Sequence, residues 1–377
     1  MIPYGRQSIS QADIDAVVEV LKSDLLTQGP VVPRFEQAVA DYCGAKFGVA
    51  VNSGTAALHI ACLALGVGHG DWVWTSPISF VASANCALYC GAQVDFVDIE
   101  PDTGNMCAVE LERKLIAAKA EGKLPKVVIP VHFAGLPCDM KEIHRLGQEY
   151  GFRIIEDACH ALGARYHDEP TGNGRYSDIT VFSFHPVKII TTGEGGMAMT
   201  NDPALAKTMR MLRSHGITRE PEDFINEPDG PWYYEQQMLG FNYRMTDIQA
   251  ALGLSQMVNL KSWIATRGEI ALRYFEALAP EHLPLYFGKE RNSAFHLYVH
   301  HVVPEQRFNL FQLLRDHGIG ANVHYMPIYK QPWYSEKNRY SLIYAEHFYA
   351  EAITIPLFPY LTNPQQERIL SVLTLDY

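Results

Sequence analysis

Three short stretches of the sequence carry side chains that suit a common chemistry. The first, Ser53-Gly54-Thr55-Ala56, follows an apolar run and opens a segment with helical spacing of apolar residues. Two hydroxyls, a glycine that lets the backbone approach a ligand, and the free amides of a helix start together suit one phosphate group. The same tetrapeptide is also an ordinary helix cap, so this stretch alone fits either interpretation.

The second stretch ends a strand-like run with an acid. Asp157 closes the run that begins at Arg153, at the carboxyl end of a predicted buried strand, where ligands bind in open α/β sheets. A carboxylate there can hold a proton on a heteroaromatic nitrogen, and His160 could share a face with Asp157 and fix its orientation. Alternatively, Asp157 caps the next helix.

The third stretch places a lysine between a strand and a glycine-rich segment. Lys188 follows Ser183-Phe184-His185-Pro186-Val187 and precedes Thr191-Thr192-Gly193-Glu194-Gly195-Gly196. A lone lysine is usually a solvated surface charge. Here, however, the proline-broken turn and the glycines allow a bulky ligand to approach closely. A lysine whose pKa is lowered in such a site forms Schiff bases with aldehydes.

Together the three stretches meet the requirements of one cofactor. They supply a phosphate cradle, an acid for a ring nitrogen and a lysine for an aldehyde, which are the groups that pyridoxal phosphate needs. Because the three occur in one predicted α/β region, their combination is far more specific than any one of them. The sequence therefore predicts a pyridoxal phosphate site.

The elements that must position these residues follow an α/β rhythm. Ser10 and Asp13 predict a helix start, a second amphipathic segment spans 35–42, and alternation of strands and helices continues to about residue 200. This rhythm predicts a mostly parallel sheet wrapped by helices. The predicted strands lie at 47–51, 72–75, 94–97, 127–131, 153–156, 179–184 and 197–200, and the helices between them lie around 55–66, 80–90, 108–120 and 139–150.

The rest of the chain predicts a second, smaller unit. A large α/β domain is expected over 1–255 and a small α+β domain over 256–377, with a strand at 297–303 and a helix around 308–317. Residues 217–240 are polar and aperiodic, which indicates a long functional loop that we expect to cover either the entrance of the site or the site of a partner subunit.

Composition and charge narrow the class of partner. The 377 residues include 31 Lys plus Arg and 42 Asp plus Glu, a net charge of −11, with no massed basic segment, so neither nucleic acid nor a membrane is expected as partner. No signal-peptide-like start is present, and we expect a cytoplasmic location. The seven dispersed cysteines predict reduced core residues, and no ligand spacing predicts a metal.

The chain resembles the DegT-type nucleotide-sugar aminotransferases of fold type I over essentially its full length. The resemblance rests on motifs in the family's order. The matching stretches are Leu26-Thr27-Gln28-Gly29-Pro30, Asn52-Ser53-Gly54-Thr55-Ala56-Ala57-Leu58, Ser76-Pro77-Ile78-Ser79-Phe80-Val81-Ala82-Ser83-Ala84-Asn85, Phe182-Ser183-Phe184-His185 with Lys188, Arg213-Ser214-His215-Gly216, Asn242-Tyr243-Arg244-Met245, and His324-Tyr325-Met326-Pro327-Ile328-Tyr329. Met326 stands where relatives often carry Lys, which affects the expected contacts to the nucleotide diphosphate.

The resemblance implies a role for each motif residue. Lys188 attaches the cofactor and acts with Asp157 and His160 as the catalytic set, while Phe80 stacks on the cofactor ring. Asn242 reaches the phosphate in a neighbouring subunit, which makes a homodimer with shared active sites part of the catalyst. The phosphate is held by Gly54, Thr55, Ala56 and Ser183, and the sugar nucleotide lies near His215, His324, Tyr325 and Tyr329.

The resemblance also implies a reaction. It is transfer of an amino group from L-glutamate to C4 of a UDP-linked 4-keto-6-deoxy-N-acetylhexosamine. The alternatives are a transaminase for a dTDP-, GDP- or differently configured UDP-keto sugar, a sugar dehydratase on the same scaffold, and a non-enzymatic cofactor-binding regulator. The presence of Lys188 disfavours the dehydratase, and the lack of a basic DNA-binding arm disfavours the regulator. Gly66-x-Gly68-x-Gly70 follows a predicted helix, which disfavours a nicotinamide enzyme.

Overall fold

A seven-stranded sheet forms the centre of the computed structural model, which describes residues 1–335 and 342–375. Its strands are β1 (Phe47–Val51), β2 (Trp72–Thr75), β3 (Gln93–Phe96), β4 (Val127–Ile129), β5 (Arg153–Asp157), β8 (Ile179–Ser183) and β9 (Gly196–Thr200). Between β5 and β8 lie the short strands β6 (Arg165–Tyr166) and β7 (Glu169–Pro170). The spatial order is β1-β9-β8-β5-β4-β2-β3.

Only β9 runs against its neighbours in this sheet. It pairs antiparallel with both β1 and β8, whereas the β8–β5, β5–β4, β4–β2 and β2–β3 pairs are parallel. The apolar runs that predicted strands are buried on both faces, as expected for a sheet covered by helices on both sides. The predicted α/β fold with a mostly parallel sheet is confirmed.

Helices cover the two faces of the sheet. The first, α1, begins with a capping box in which Ser10 and Asp13 each bond the other's backbone amide, and α2 ends at Gly44 in the left-handed conformation. The helices up to the sheet's last strand are α1 (Gln11–Leu21), α2 (Val31–Cys43), α3 (Gly54–Ala64), α4 (Ala82–Tyr89), α5 (Ala108–Glu121) and α6 (Met140–Tyr150), and α7 (Pro203–Leu212) follows it.

The polar segment after α7 has little regular structure. Ile217–Thr218 (β10) pairs antiparallel with Glu235–Gln236 (β11), and a short 3-10 turn lies between them at Pro221–Asp223. The carboxylate of Glu235 organises this loop by accepting hydrogen bonds from the backbone amides of Ile225 and Asn226 at 2.7 and 2.8 Å. The predicted long loop is therefore present and internally ordered.

The C-terminal part builds its own apolar cluster. Residues of α9, β13, β14 and α14 pack together with Ile2 from the N-terminus, so the two ends of the chain meet in this cluster. The predicted domain boundary at 255/256 stays a prediction. The elements here are α8 (Asp247–Met257), α9 (Leu260–Leu278), α10 (Leu283–Tyr286), β12 (Arg291–Asn292), β13 (Tyr298–His301), α11 (Pro304–Asp316), α12 (Pro332–Ser335), α13 (Ile343–Glu351), β14 (Ala352–Ile355) and α14 (Asn363–Leu373).

The hydropathy of the helices and the state of the cysteines are two further features of the described residues. Across 1–335 and 342–375, no helix combines the length and apolarity needed to cross a bilayer. The seven cysteines are free thiols, of which Cys43, Cys62, Cys86 and Cys138 are buried and the other three are partly exposed.

Candidate active site

A cleft of about 1100 Å³ opens at the carboxyl ends of the parallel strands. Its walls come from the start of α3, the start of α4, the end of β5, the loop between β8 and β9, and two segments of the C-terminal part around residues 296 and 322–326. This is the sheet edge at which ligands bind in open α/β folds. Lys188, Asp157 and Gly54, which the sequence predicts to act together, all line this one cleft.

The N-terminus of α3 forms one end of the cleft. Ser53 caps the helix by accepting a hydrogen bond from the amide of Ala56 at 3.1 Å, and the first amides of a helix have no acceptor within it. A Cβ at position 54 would lie 3.0 Å from the Cβ of Ser183 and 3.3 Å from the Sγ of Cys159. Gly54 therefore favours the close approach of this helix start to β8, because a side chain here would push its neighbours apart, and the backbone is open to an anion.

Ser183 and Thr55 line the same end of the cleft, while Ala56 is buried behind it. The tight packing extends to the neighbouring strand, because a Cβ at Gly196 would collide with the carbonyl oxygen of Ser53. The phosphate cradle that the sequence predicts from its hydroxyls and its glycine stays a prediction. The structure adds that two glycines, at 54 and 196, bring three backbone segments together there.

Asp157 lies buried at the end of β5, with 4% of its surface exposed. Its Oδ2 accepts a 2.6 Å hydrogen bond from the hydroxyl of Ser83, and its Oδ1 accepts one from the amide of Cys159 at 3.2 Å. No helix begins after Asp157 until Pro203, so the alternative that this residue caps a helix is wrong.

His160 does not orient Asp157, contrary to the expectation from sequence. Its Nε2 lies 3.4 Å from the hydroxyl of Tyr325, and its buried Nδ1 has no hydrogen-bond partner among the residues that the structure describes. The expected contact assumes helical spacing, but residues 158–163 form turns, so positions three apart do not share a face. The orienting hydroxyl comes instead from Ser83, which is 74 residues earlier in the chain.

Lys188 follows a turn in which its amide donates to the carbonyl of His185 at 2.9 Å. The side chain is partly exposed to the cleft and otherwise enclosed by protein. Burial lowers the pKa of Lys188, and the nearby Cys159 and Asp157 act in the opposite direction. A larger share of the amine is therefore neutral at physiological pH than for a surface lysine, which makes it a better nucleophile and base.

His296 is a cleft residue that the sequence interpretation missed. Its Nε2 lies 3.5 Å from the Nζ of Lys188, and its ring centroid lies 4.4 Å from that of His160. Burial is the main cause that lowers the pKa of both histidines well below the usual value, and the charge of Lys188 adds to it. Nothing in the local pattern around His296 distinguishes it from a core histidine, so the signal exists only in three dimensions.

Three further predicted residues line the cleft. Phe80 is 59% exposed and lies just before α4, where its side-chain ring is available for stacking on a planar ligand. His324 is buried and bonds the hydroxyl of Thr354 at 2.8 Å through Nδ1, while Tyr325 contacts His160. Burial, with a smaller effect of Lys188, lowers the pKa of His324 to about 4.

The remaining predicted residues lie outside this cleft. Tyr329 packs in the core 5.9 Å from the ring of Phe96, and its hydroxyl donates to Glu346 at 2.8 Å. His215 and Asn242 are exposed and do not line the cleft of their own chain. Within one chain the structure therefore does not bring these three residues to the site.

The fold and the cleft define a fold type I enzyme, in which a lysine and a strand-end carboxylate face a helix start across one pocket. The chain belongs to the DegT/DnrJ/EryC1/StrS aminotransferase family, whose description matches residues 7–374. It is thus an aminotransferase of the class that acts on sugars.

Relatives and solved structures agree with this membership. The UDP-4-amino-4,6-dideoxy-N-acetyl-beta-L-altrosamine transaminase of Campylobacter jejuni subsp. jejuni serotype O:2 is 38% identical over 362 residues, which cover 94% of this chain and 92% of that protein. Helicobacter pylori PseC, an aminotransferase involved in the biosynthesis of pseudoaminic acid, is 32% identical with a TM-score of 0.89 over 99% of this chain and 98% of that one. A putative sugar aminotransferase of Streptococcus pneumoniae, solved in its PLP form, is 30% identical with a TM-score of 0.86 and coverage of 98% and 97%.

Proposed function

We propose that this protein uses pyridoxal phosphate to transfer the amino group of L-glutamate to C4 of a UDP-linked 4-keto-6-deoxy-N-acetylhexosamine. The product would be UDP-4-amino-4,6-dideoxy-N-acetyl-β-L-altrosamine, an intermediate of pseudaminic acid biosynthesis. The observation that carries the proposal is the convergence of Lys188, Asp157 and the start of α3 on one cleft. The 38% identical transaminase supports the choice of sugar.

The cleft fits pyridoxal phosphate at three points. The open amides beside Gly54, with the hydroxyls of Thr55 and Ser183, suit its phosphate. Asp157 suits the ring nitrogen, since it is a buried acceptor at the strand end, and Lys188 suits the aldehyde. The bound cofactor would supply an electron sink for a carbanion.

Proton transfer falls to Lys188. Because burial lowers the pKa of its ammonium, the free amine can take the α-proton of the amino donor. In the second half-reaction the same Nζ delivers a proton to C4 of the sugar. A single lysine on one wall of the cleft delivers that proton from one face only, and so sets the configuration of the new amine.

The size and lining of the cleft support a nucleotide sugar as acceptor. At about 1100 Å³ it is at the upper end of ordinary ligand pockets, which leaves room for a second ligand beside a cofactor. His324 and Tyr325 line the part away from α3 and place polar side chains there. We assign these two residues to the sugar nucleotide.

We also propose that the active enzyme is a homodimer with shared sites. Asn242 is exposed, lies outside the cleft of its own chain, and is held by a bridge to Ser214. An exposed asparagine in this position is available to a phosphate in the cleft of a second copy. Sedimentation, together with an activity assay on mixed Asn242→Ala and Lys188→Ala subunits, tests this arrangement. Recovery of activity on mixing supports it.

One experiment tests the reaction. The protein is incubated with pyridoxal phosphate, L-glutamate and UDP-2-acetamido-2,6-dideoxy-β-L-arabino-hex-4-ulose, and the product is analysed by NMR. We expect an amine at C4 and release of 2-oxoglutarate. A parallel panel of dTDP- and GDP-linked 4-keto-6-deoxyhexoses distinguishes the sugar, and a faster reaction with one of these overturns the proposed acceptor. Lys188→Ala is the control and should give no product.

A further inference from the structure

The turn that leads into α4 carries side chains that line the cleft. Phe80 lies just before the helix and is exposed to the cleft, while Ser83 is the second residue of the helix and is 1% exposed. Ser79 lies one turn before Ser83 and is 5% exposed. One turn of backbone therefore presents an aromatic ring to the cleft and two hydroxyls to the protein interior.

The two hydroxyls form a chain that ends on Asp157. The hydroxyl of Ser83 is 2.6 Å from the Oδ2 of Asp157, and the hydroxyl of Ser79 is 2.7 Å from that of Ser83. A serine hydroxyl has one proton, and an ionised carboxylate can only accept. Ser83 therefore donates to Asp157, and Ser79 donates to Ser83.

These hydrogen bonds are not needed to cap the helix. The N-cap position of α4 is Val81, and no side chain caps the helix. Ser83 instead donates its hydroxyl hydrogen to the carboxylate of Asp157, a residue of the central sheet. With the amide of Cys159 on Oδ1, the carboxylate is held at both oxygens, which fixes its rotation about the side-chain bonds.

We propose that Ser83, supported by Ser79, is a positioning residue that holds the carboxylate of Asp157 toward the ring nitrogen of the cofactor. The inference rests on the proposed use of pyridoxal phosphate. Because the amide of Ser83 donates to the carbonyl of Phe80 at 3.2 Å, the turn that leads into α4 aligns the face of the cofactor ring and the acceptor for its nitrogen as one unit.

The test compares Ser83→Ala, Ser79→Ala and Ser83→Thr with the unmodified protein, using pyridoxal phosphate as the probe. Loss of one hydrogen bond to a charged group should weaken coenzyme affinity by about tenfold in Ser83→Ala. If Asp157 holds the proton on the coenzyme's ring nitrogen less firmly, the ring carries less positive charge. The nitrogen that joins the coenzyme to Lys188 then becomes more basic. The pH midpoint of the absorbance change of the lysine-linked coenzyme should therefore rise. Ser79→Ala should give a smaller shift in the same direction, and Ser83→Thr should restore the midpoint.

Ser76→Ala is the matched control. Ser76 is also buried and precedes α4, but within 1–335 and 342–375 its hydroxyl has no hydrogen-bond partner, so the absorbance midpoint should stay unchanged. A purely structural role for Ser83 would lower the melting temperature and leave the midpoint in place, and that result overturns the inference. If the unmodified protein fails to bind the coenzyme through Lys188, the proposed function fails instead, so the two failures are distinguishable.

Discussion

The Nζ of Lys188 lies 3.5 Å from the Nε2 of His296, across a distance of 108 residues in the chain. Burial lowers the pKa of each group, so both are biased toward their neutral forms. A neutral imidazole nitrogen can accept a hydrogen bond from the amine and hold it in one orientation. The Nδ1 of His296 is buried and has no hydrogen-bond partner among the described residues.

Replacing His296 should slow the attachment of the cofactor. In His296→Leu the amine loses its acceptor, and we expect the rate of absorbance change on mixing with pyridoxal phosphate to fall by up to about tenfold, as for one lost hydrogen bond between neutral groups. His296→Gln keeps an acceptor of similar reach and should retain most of the rate. Stopped-flow absorbance measures both variants, and equal rates in His296→Leu and the unmodified protein would contradict the role.

Replacing the acid at the end of β5 should impair turnover more than binding. In Asp157→Asn the uncharged amide cannot hold a proton on the ring nitrogen, so we expect kcat to fall by about ten- to a hundredfold, the equivalent of a lost charge-assisted hydrogen bond. The phosphate cradle is untouched, so coenzyme affinity should fall less. Steady-state kinetics and equilibrium dialysis separate the two effects. Near-normal turnover would remove Asp157 from the mechanism.

A methyl group at position 54 should disturb the phosphate cradle. The added Cβ of Gly54→Ala would lie 3.0 Å from the Cβ of Ser183, and overpacking of this kind costs about 1–3 kcal/mol. We expect lower thermal stability and weaker coenzyme binding. Gly68→Ala is the matched control, since a Cβ at Gly68 has no heavy atom within 4 Å. Equal melting temperatures for the two variants would show that the close approach at Gly54 is relaxed at no cost.

The fold should lose stability as the pH falls from about 6.5 to about 4. Burial lowers the pKa of His324 from 6.5 to about 4, so the unfolded chain takes up a proton in this range before the folded chain does. The contribution of His324 is complete above that range and amounts to about 3 kcal/mol at most. Urea midpoints measured from pH 4 to 7.5 should show a shallower slope in His324→Gln. An identical slope would mean that this histidine does not titrate as its burial requires.

The loop from 217 to 240 should depend on the Glu235 carboxylate. Hydrogen bonds from the amide of Ile225 first, and then from other groups of the loop, lower the pKa of Glu235 to about 2, so the contacts persist at all ordinary pH values and are lost only in strong acid. In Glu235→Ala, limited proteolysis within the loop should accelerate several-fold. Glu227→Ala changes an exposed acid of the same loop and should leave the cleavage rate unchanged. Acceleration in both variants would argue against a specific role.

Much of the fold could be predicted because its signals are local. The apolar runs of β1 and β2 match the observed strands residue for residue, and the capping box at Ser10 starts α1 as expected. The start of α3 and the position of Asp157 at the end of β5 were likewise predictable, since a strand end and a helix start are each specified by a few adjacent residues.

The partners of these groups could not be predicted in the same way. Ser83 donates to Asp157, and His296 reaches Lys188, only because the strand order brings distant segments to one edge of the sheet. Conversely, the motif residue Tyr329, which is predicted to contact the sugar nucleotide, lies buried in the core against Phe96.

Residue types and spacing thus sufficed for the class of fold and for the approximate positions of many strands and helices, because these depend on interactions within a few positions along the chain. Tertiary structure alone decided which hydroxyl holds Asp157, which imidazole contacts Lys188 and which motif residues miss the cleft. Those contacts join residues separated by 74 and 108 positions, and their geometry depends on how the strands cross over and pack.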